Sequence, residues 1–381
     1  MDAHYRPMRE WHSNRWIGLC LRALSCIVLT SITMLTSARE LSAMTLHVRE
    51  ASGDRPQALV LAGRWPDSCV PRFLRASRDG SELTLQLQAP EHDCVEQPTP
   101  FYVLVEMRTA FAGNTPGSRI YRVRITLSRG EDAAELIGFR LLDLGASAVQ
   151  PESGFWWSRS RPGDSAAPLA GGGIGLEVQG DQLAVSLLAF AANGTPTWYF
   201  GSAQRTGRTA QVPLIQLFNG GGSDALNGKQ AGIQAGPLLA LEFVGPTAAR
   251  GWLLGPSNAE ANAPLSLQPL LLRRAIFDGR ATGSSWLGSW VFVTGRTSHV
   301  LDLTRLVSDD GENFRLVIGS DDIGAATLEC RYRGNGSSAE IDGCSMVQAG
   351  RVLASFGQVG LDRLSGTSHD GRSAQMLRIA P

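Results

Sequence analysis

The sequence predicts an all-β protein of tandem modules, a small β-sandwich followed by β-meander or barrel-like modules, with few helices. Apolar and polar residues alternate in several runs, including 83–88, 121–127, 174–179 and 239–243. A period of two is typical of a strand with one face in a core and the other in water. The 43 glycines and 19 prolines in 381 residues indicate many turns, and a hydrophobic content of 43% is enough to build cores.

The first segment, residues 1–43, has the composition of a secretory signal peptide. Its first 22 residues carry four arginines against two acidic residues. The apolar stretch Ala23–Ala38 that follows is short for the roughly 20 residues of a spanning helix. Small residues precede two candidate cleavage points, after Ala38 and after Ala43. We therefore expect an exported chain with no membrane span once the signal is removed. An uncleaved anchor is the alternative, because the charged region is long.

Residues 44–148 form the first predicted module, a disulfide-bearing β-sandwich. Four of the six cysteines lie outside the signal segment, and an even number in an exported chain predicts disulfides. Each neighbouring pair brackets its own turn, so the expected bonds are Cys69–Cys94 and Cys330–Cys344. The close C-x-x-C spacing of metal sites is absent, so no metal site is expected.

Residues 149–278 and 279–381 form the second and third predicted modules. They begin with the related tripeptides Gly154-Phe155-Trp156 and Gly288-Ser289-Trp290. This Gly-x-Trp opening resembles that of lipocalin-like barrels, in which the tryptophan plugs one end. In the second module Asn193-Gly194 separates two apolar runs, and this pair tolerates the positive φ angles of a type I′ hairpin turn. Both modules are expected to be β-meanders or barrels.

A longer pattern in the second module consists of Gly154–Trp157, Gly173–Gly180 and Asn193–Tyr199. It resembles a module of uncharacterised exported β-rich proteins of Gram-negative proteobacteria. The segment Ala62–Pro71, which contains Trp-Pro-Asp-Ser-Cys, resembles one that often precedes that module. The resemblance covers about 50 residues of the module. It implies export and β structure, and it brings no catalytic residues. The chain departs from the pattern between Trp157 and Gly173, where it has a longer loop.

Two pairs of adjacent aromatic residues in this module are candidate ligand contacts: Trp156 with Trp157, and Trp198 with Tyr199. Successive residues of a strand face opposite sides of a sheet, so one member of each pair is expected to point outward. An outward ring could stack on a sugar or another apolar ligand. The structural alternative is that it packs beneath the long loop after Ser158.

No motif in the sequence predicts a catalytic residue or a cofactor. The chain contains neither H-x-x-x-H outside the signal segment nor G-x-S-x-G. The glycine-rich stretches at 171–175 and 222–230 depart from the dinucleotide-binding and P-loop spacings. Lys+Arg and Asp+Glu both number 35, and this balance argues against a nucleic-acid partner, which requires a basic excess.

These observations predict an exported, non-catalytic binding or surface structural protein that is periplasmic, outer-surface or secreted. Carbohydrate or another cell-envelope component is the candidate partner. The alternative is a hydrolase that acts on cell-envelope or extracellular polymers. Such an enzyme needs an acid and a base that converge in one cleft. Residues distant in sequence could supply them, so this alternative stays open.

Overall fold

The computed structural model describes 15 stretches of the chain between residues 44 and 380. They are 44–52, 54, 56–90, 94–114, 116–117, 119–130, 133–145, 149–159, 172–191, 194–220, 231–256, 265–275, 282–320, 323–333 and 340–380. The predicted signal segment, with both cleavage points, lies outside them, as does Asn193. Strands account for 71% of the described residues and helices for 3%, which confirms the all-β prediction. In these stretches no helix is long and apolar enough to span a membrane.

The N-terminal strands form a sandwich of two sheets. The elements are β1 Thr45–Arg49, β2 Ala58–Trp65, β3 Arg72–Asp79, β4 Glu82–Ala89, β5 Thr99–Glu106, α1 Met107–Ala110, β6 Ile120–Arg129 and β7 Glu135–Asp143. One sheet has the order β1-β2-β5 and the other β3-β4-β6-β7, in which β4 and β6 are parallel. Alternate residues of β4 and β6 meet those of β2 and β5 in one core. The sheets therefore pack face to face.

Two closed barrels of eight strands follow the sandwich. The first contains β8 Gly154–Arg159, β9 Gly173–Gln179, β10 Gln182–Phe190, β11 Pro196–Gln204, β12 Thr209–Phe218, β13 Gly232–Gly245, β14 Ala248–Pro256 and β15 Leu265–Arg274. The second contains β16 Gly288–Thr294, β17 Thr297–Asp309, β18 Asn313–Gly319, β19 Ala326–Arg333, β20 Glu340–Gln348, β21 Arg351–Val359, β22 Arg363–Ser368 and β23 Ser373–Ala380, after a 3₁₀ turn at Gly283–Trp286.

Neighbouring strands of each barrel are consecutive in the chain, and the last strand pairs with the first. This is the strand order of up-and-down barrels such as the lipocalins.

Side chains fill the interiors of both barrels. An eight-stranded barrel is just wide enough for packed side chains or one small ligand. In the first barrel the rings of Trp156 and Phe243 lie among buried leucines, isoleucine and valines. In the second, Trp286, Trp290 and Phe314 occupy the same kind of position. Both interiors are therefore hydrophobic cores.

The Gly-x-Trp openings of the two barrels have the same local structure. Gly154 and Gly288 have φ angles of 136° and 124°, a region that favours glycine. Two residues later, the indole Nε1 of Trp156 donates to the carbonyl oxygen four residues before it at 3.2 Å, and that of Trp290 does the same at 2.9 Å. Each buried indole thus finds its hydrogen-bond acceptor within its own chain segment.

An arginine near the end of each barrel's last strand completes this opening. Arg274 is the register partner of Trp156, and Arg378 is that of Trp290. Each guanidinium donates to the carbonyl of the residue that precedes the opening glycine, at 2.9 Å and 2.6 Å. The Arg378 guanidinium also lies 5.8 Å from the centroid of the Trp290 ring. The same three residue types therefore join the first and last strands of both barrels.

The alternating runs place their apolar residues in cores, with one correction for β13. The run at 239–243 was expected to expose its intervening residues to water, yet Ala240 and Glu242 are both buried. The reason is a second cluster in which Ala240 packs with Trp252 of β14 against Phe139 and Leu141 of β7. This cluster joins the sandwich to the outer face of the first barrel, so β13 is buried on both faces over 238–243.

Both predicted disulfides are present. Cys69 and Cys94 are 5.4 Å apart between Cα atoms, and Cys330 and Cys344 are 4.0 Å apart. The second pair lies directly opposite in the β19–β20 register. The hairpin around Gly194 is also present, with a φ of 80° at that glycine. However, its connection spans residues 191–195 and so is longer than a two-residue type I′ turn.

A buried carboxylate ties the two barrels together. Glu152, which precedes β8, is 7% exposed, and its two carboxylate oxygens accept hydrogen bonds from the backbone N–H groups of residues 361–363 at 2.7–3.1 Å. These residues form the β21–β22 turn of the second barrel. Arg274 of the first barrel lies 3.5 Å from the same carboxylate and 2.8 Å from Asp362. One side chain therefore satisfies three backbone donors across the junction.

Replacing Glu152→Ala should lower the free energy of unfolding by about 3 kcal/mol, because it leaves three buried or part-buried N–H donors without their acceptor. Denaturant unfolding measures the loss. Glu177→Ala, which removes an exposed carboxylate from β9, is the matched control and should change stability by less than about 0.5 kcal/mol. Equal losses in the two variants would contradict the assigned role of Glu152.

Candidate functional site

A line of apolar residues, exposed on three of four strands, crosses the outer face of the first barrel. Trp157 of β8 pairs with Gly173 of β9, Gly173 with Leu188 of β10, and Leu188 with Trp198 of β11. Trp157, Leu188 and Trp198 are each 45% exposed. We call these four residues the aromatic row. Its two tryptophans are three strand spacings apart, or about 14 Å along the sheet.

The two predicted aromatic pairs divide between the faces of the sheet. Trp156 is 1% exposed and belongs to the core, whereas its neighbour Trp157 points outward. On β11, Trp198 points outward and Tyr199 is half-buried against the same core. The structure thus brings Trp157 and Trp198 together on one surface and leaves Trp156 and Tyr199 on the inner side.

The glycine in the row allows an aromatic ring to cover the sheet. A Cβ atom at Gly173 would lie 2.5 Å from the ring of Phe155, so only glycine fits beneath that ring. Phe155 also contacts Trp157 edge-to-face, with ring centroids 4.8 Å apart and planes at 84°. Phe155 therefore supports Trp157 from the side, and the surface between Trp157 and Leu188 carries no side chain of its own from β9.

Further exposed rings extend the aromatic row. Phe190 of β10 and Phe200 of β11 lie two residues beyond Leu188 and Trp198 on the same strands and are also exposed. The sequence analysis did not single out Leu188, Phe190 or Phe200. That they share a face with Leu188 and Trp198 could have been predicted from the sequence, because residues two apart on a strand point to the same side of a sheet. The missing information was that no described residue covers this face; most of the loop after Ser158, which the structural alternative requires, lies outside the described residues.

The two buried carboxyl groups of the described residues serve structural contacts. Burial raises the pKa of the Glu152 carboxyl, while its backbone hydrogen bonds and Arg274 act in the opposite direction. A carboxyl with a raised pKa is a candidate general acid, but Glu152 receives the N–H groups of the second barrel at both oxygens. Glu242 faces Arg250 at 3.3 Å. Neither residue belongs to the aromatic row.

The oxygens and sulfurs of Asp67, Cys69 and Cys94 lie close together, as in a metal site. The two sulfurs are bonded to each other, so neither is the thiolate that a metal requires. Asp67 instead accepts a hydrogen bond from the Cys69 backbone N–H at 2.8 Å. This cluster is therefore a turn held by a disulfide.

These features define a class of protein, one β-sandwich and two filled up-and-down barrels, with an exposed aromatic row on the first barrel. No protein-family model, curated protein or solved structure matches this chain.

The two adjacent tryptophans should respond differently to truncation. Trp156→Ala should lower the free energy of unfolding by about 3–5 kcal/mol, because it removes a buried ring from a filled barrel. Trp157→Ala should lower it by less than about 1 kcal/mol, because the ring is half in water. Thermal and denaturant unfolding of the two single variants provide the comparison. Similar large losses in both would show that Trp157 is structural and not available to a ligand.

Proposed function

We propose that this protein is an exported, non-catalytic binding protein that holds a polysaccharide chain on the aromatic row. The observation that carries the proposal is the alignment of Trp157 and Trp198 on one exposed face. Monomeric proteins rarely expose such contiguous apolar surface unless it serves an interaction. Because buried side chains fill the interior of the first barrel, we place the ligand on its outer face.

The shape and chemistry of the row favour a sugar polymer. A separation of about 14 Å is longer than one sugar ring, so a ligand that contacts both tryptophans is extended. Between them the Phe155 ring lies over Gly173, and the four residues of the row are uncharged. Neutral pyranose rings present C–H faces that stack on indole. Ser186, which lies two residues from Leu188 on the same strand, offers a hydroxyl group beside the row.

Three observations support export. The N-terminal segment has the composition of a signal peptide, and the second module resembles modules of exported proteins. The two disulfides suit an oxidising compartment, since such bonds are rare in the cytosol. A polysaccharide of the cell envelope is then a ligand within reach of the protein.

Affinity gel electrophoresis tests the proposal, with glycol chitin, hydroxyethyl cellulose and a neutral dextran each cast in the gel. We expect at least one polymer to retard the wild-type protein. Trp157→Ala and Trp198→Ala should each weaken its binding about threefold to tenfold, the value of one aromatic contact. Val300→Ala, which truncates an exposed residue on the second barrel, is the matched control and should migrate as wild type.

Equal retardation of the two tryptophan variants and the wild type would place binding elsewhere. If none of the three polymers retards the wild-type protein, the proposal that its ligand is a polysaccharide is wrong.

A further inference from the structure

The sandwich has four edge strands, and three of them carry features that prevent pairing with another chain. β1 has only five residues. β3 has a bulge between Phe73 and Arg75, and three arginines and an aspartate along its length. β7 packs its Phe139 and Leu141 against the first barrel. Short length, bulges, charges, proline and covering layers are the devices by which proteins block an edge.

The fourth edge strand, β5, lacks these features over residues 101–105; its one proline, Pro100, has no N–H to donate but lies next to the start of the strand. It has eight residues in an unbroken register with β2, from Thr99 opposite Trp65 to Glu106 opposite Ala58. Its outward side chains include Tyr102, which is 71% exposed, and Leu104, which is 45% exposed. Its single charged residue is Glu106, at the end of the strand. Among the described strands, β2 is the one hydrogen-bonded to β5.

A long, regular and apolar edge of this kind is a template for another strand. The occupant must be an extended strand. Only a strand can pair, through main-chain hydrogen bonds, with the backbone N–H and C=O groups of β5 on the side away from β2. Its exposed side chains specify that the occupant is apolar on the same face. The occupant is therefore an extended segment with aromatic or aliphatic residues at alternate positions.

We propose that β5 pairs with β5 of a second copy of this chain, antiparallel about a two-fold axis at Val103. In this register Tyr102 of each copy lies opposite Leu104 of the other, which makes an aromatic–aliphatic cross-strand pair. Pro100 lies opposite Glu106, so no like charges meet. A two-fold interface needs a surface that is complementary to itself, and the sequence of β5 meets that requirement. The three-stranded sheets of the two copies then form one continuous six-stranded sheet.

Sedimentation velocity of the purified protein over a concentration series tests this pairing. Wild type should sediment as a dimer that dissociates on dilution. The double variant Tyr102→Lys/Leu104→Lys places lysine opposite lysine at each pair and should raise the dimer dissociation constant about tenfold or more. The matching double variant with glutamate at both positions should do the same. Val300→Lys, at an exposed site on the second barrel, controls for added charge and should leave the dimer intact.

A mixture of the lysine and glutamate variants separates lost pairing from lost folding. The proposed register sets each lysine opposite a glutamate, so the mixture should form a heterodimer although each variant alone is monomeric. A monomeric wild type at all concentrations would overturn the proposal, and so would a dimer that the lysine variant leaves unchanged. Association of wild type with an added foreign strand but not with itself would also overturn it. None of these outcomes depends on polysaccharide binding.

Discussion

The architecture depends on the pairing of the last strand of each barrel with its first. At both seams a buried tryptophan lies opposite an arginine, and the arginine donates to the carbonyl that precedes the opening glycine. Closure leaves a barrel with no strand edges, and it fixes which face of every strand points inward. The pairing of the first and last strands therefore determines which residues of the first barrel are exposed. Because the side chain of Trp156 points inward, that of its neighbour Trp157 must point outward.

Filled interiors are the reason that we propose a binding surface on the outside of the fold. A barrel that kept a cavity would bind a small ligand within it, whereas here the indole and phenyl rings occupy that space. The outer faces then have different roles. One face of the first barrel is covered by β7 of the sandwich, through Phe139 and Trp252. Another carries the aromatic row, which no described residue covers, and this contrast is the reason that we propose a ligand there and not domain packing.

Local features of the sequence predicted much of this structure, because strands, hairpins and short disulfide loops are encoded by near neighbours. The alternating residues of β4 and β6, the two cysteine pairs and the opposite orientations of Trp156 and Trp157 follow from such patterns. The pairing of Glu152 with residues 361–363 could not be predicted in this way, since the partners are about 210 positions apart. The same is true of the burial of Ala240, which depends on a strand from another module.

The position of Glu152 has a consequence for how such a chain can be duplicated or shortened. Its carbonyl oxygen accepts the indole N–H of the first barrel, while its carboxylate caps a turn of the second. A second barrel excised at residue 279 would keep the turn at 361–363 but lose the acceptor for its three N–H groups. The barrel pair with its preceding linker is accordingly one structural unit, because separating the two barrels would break this contact.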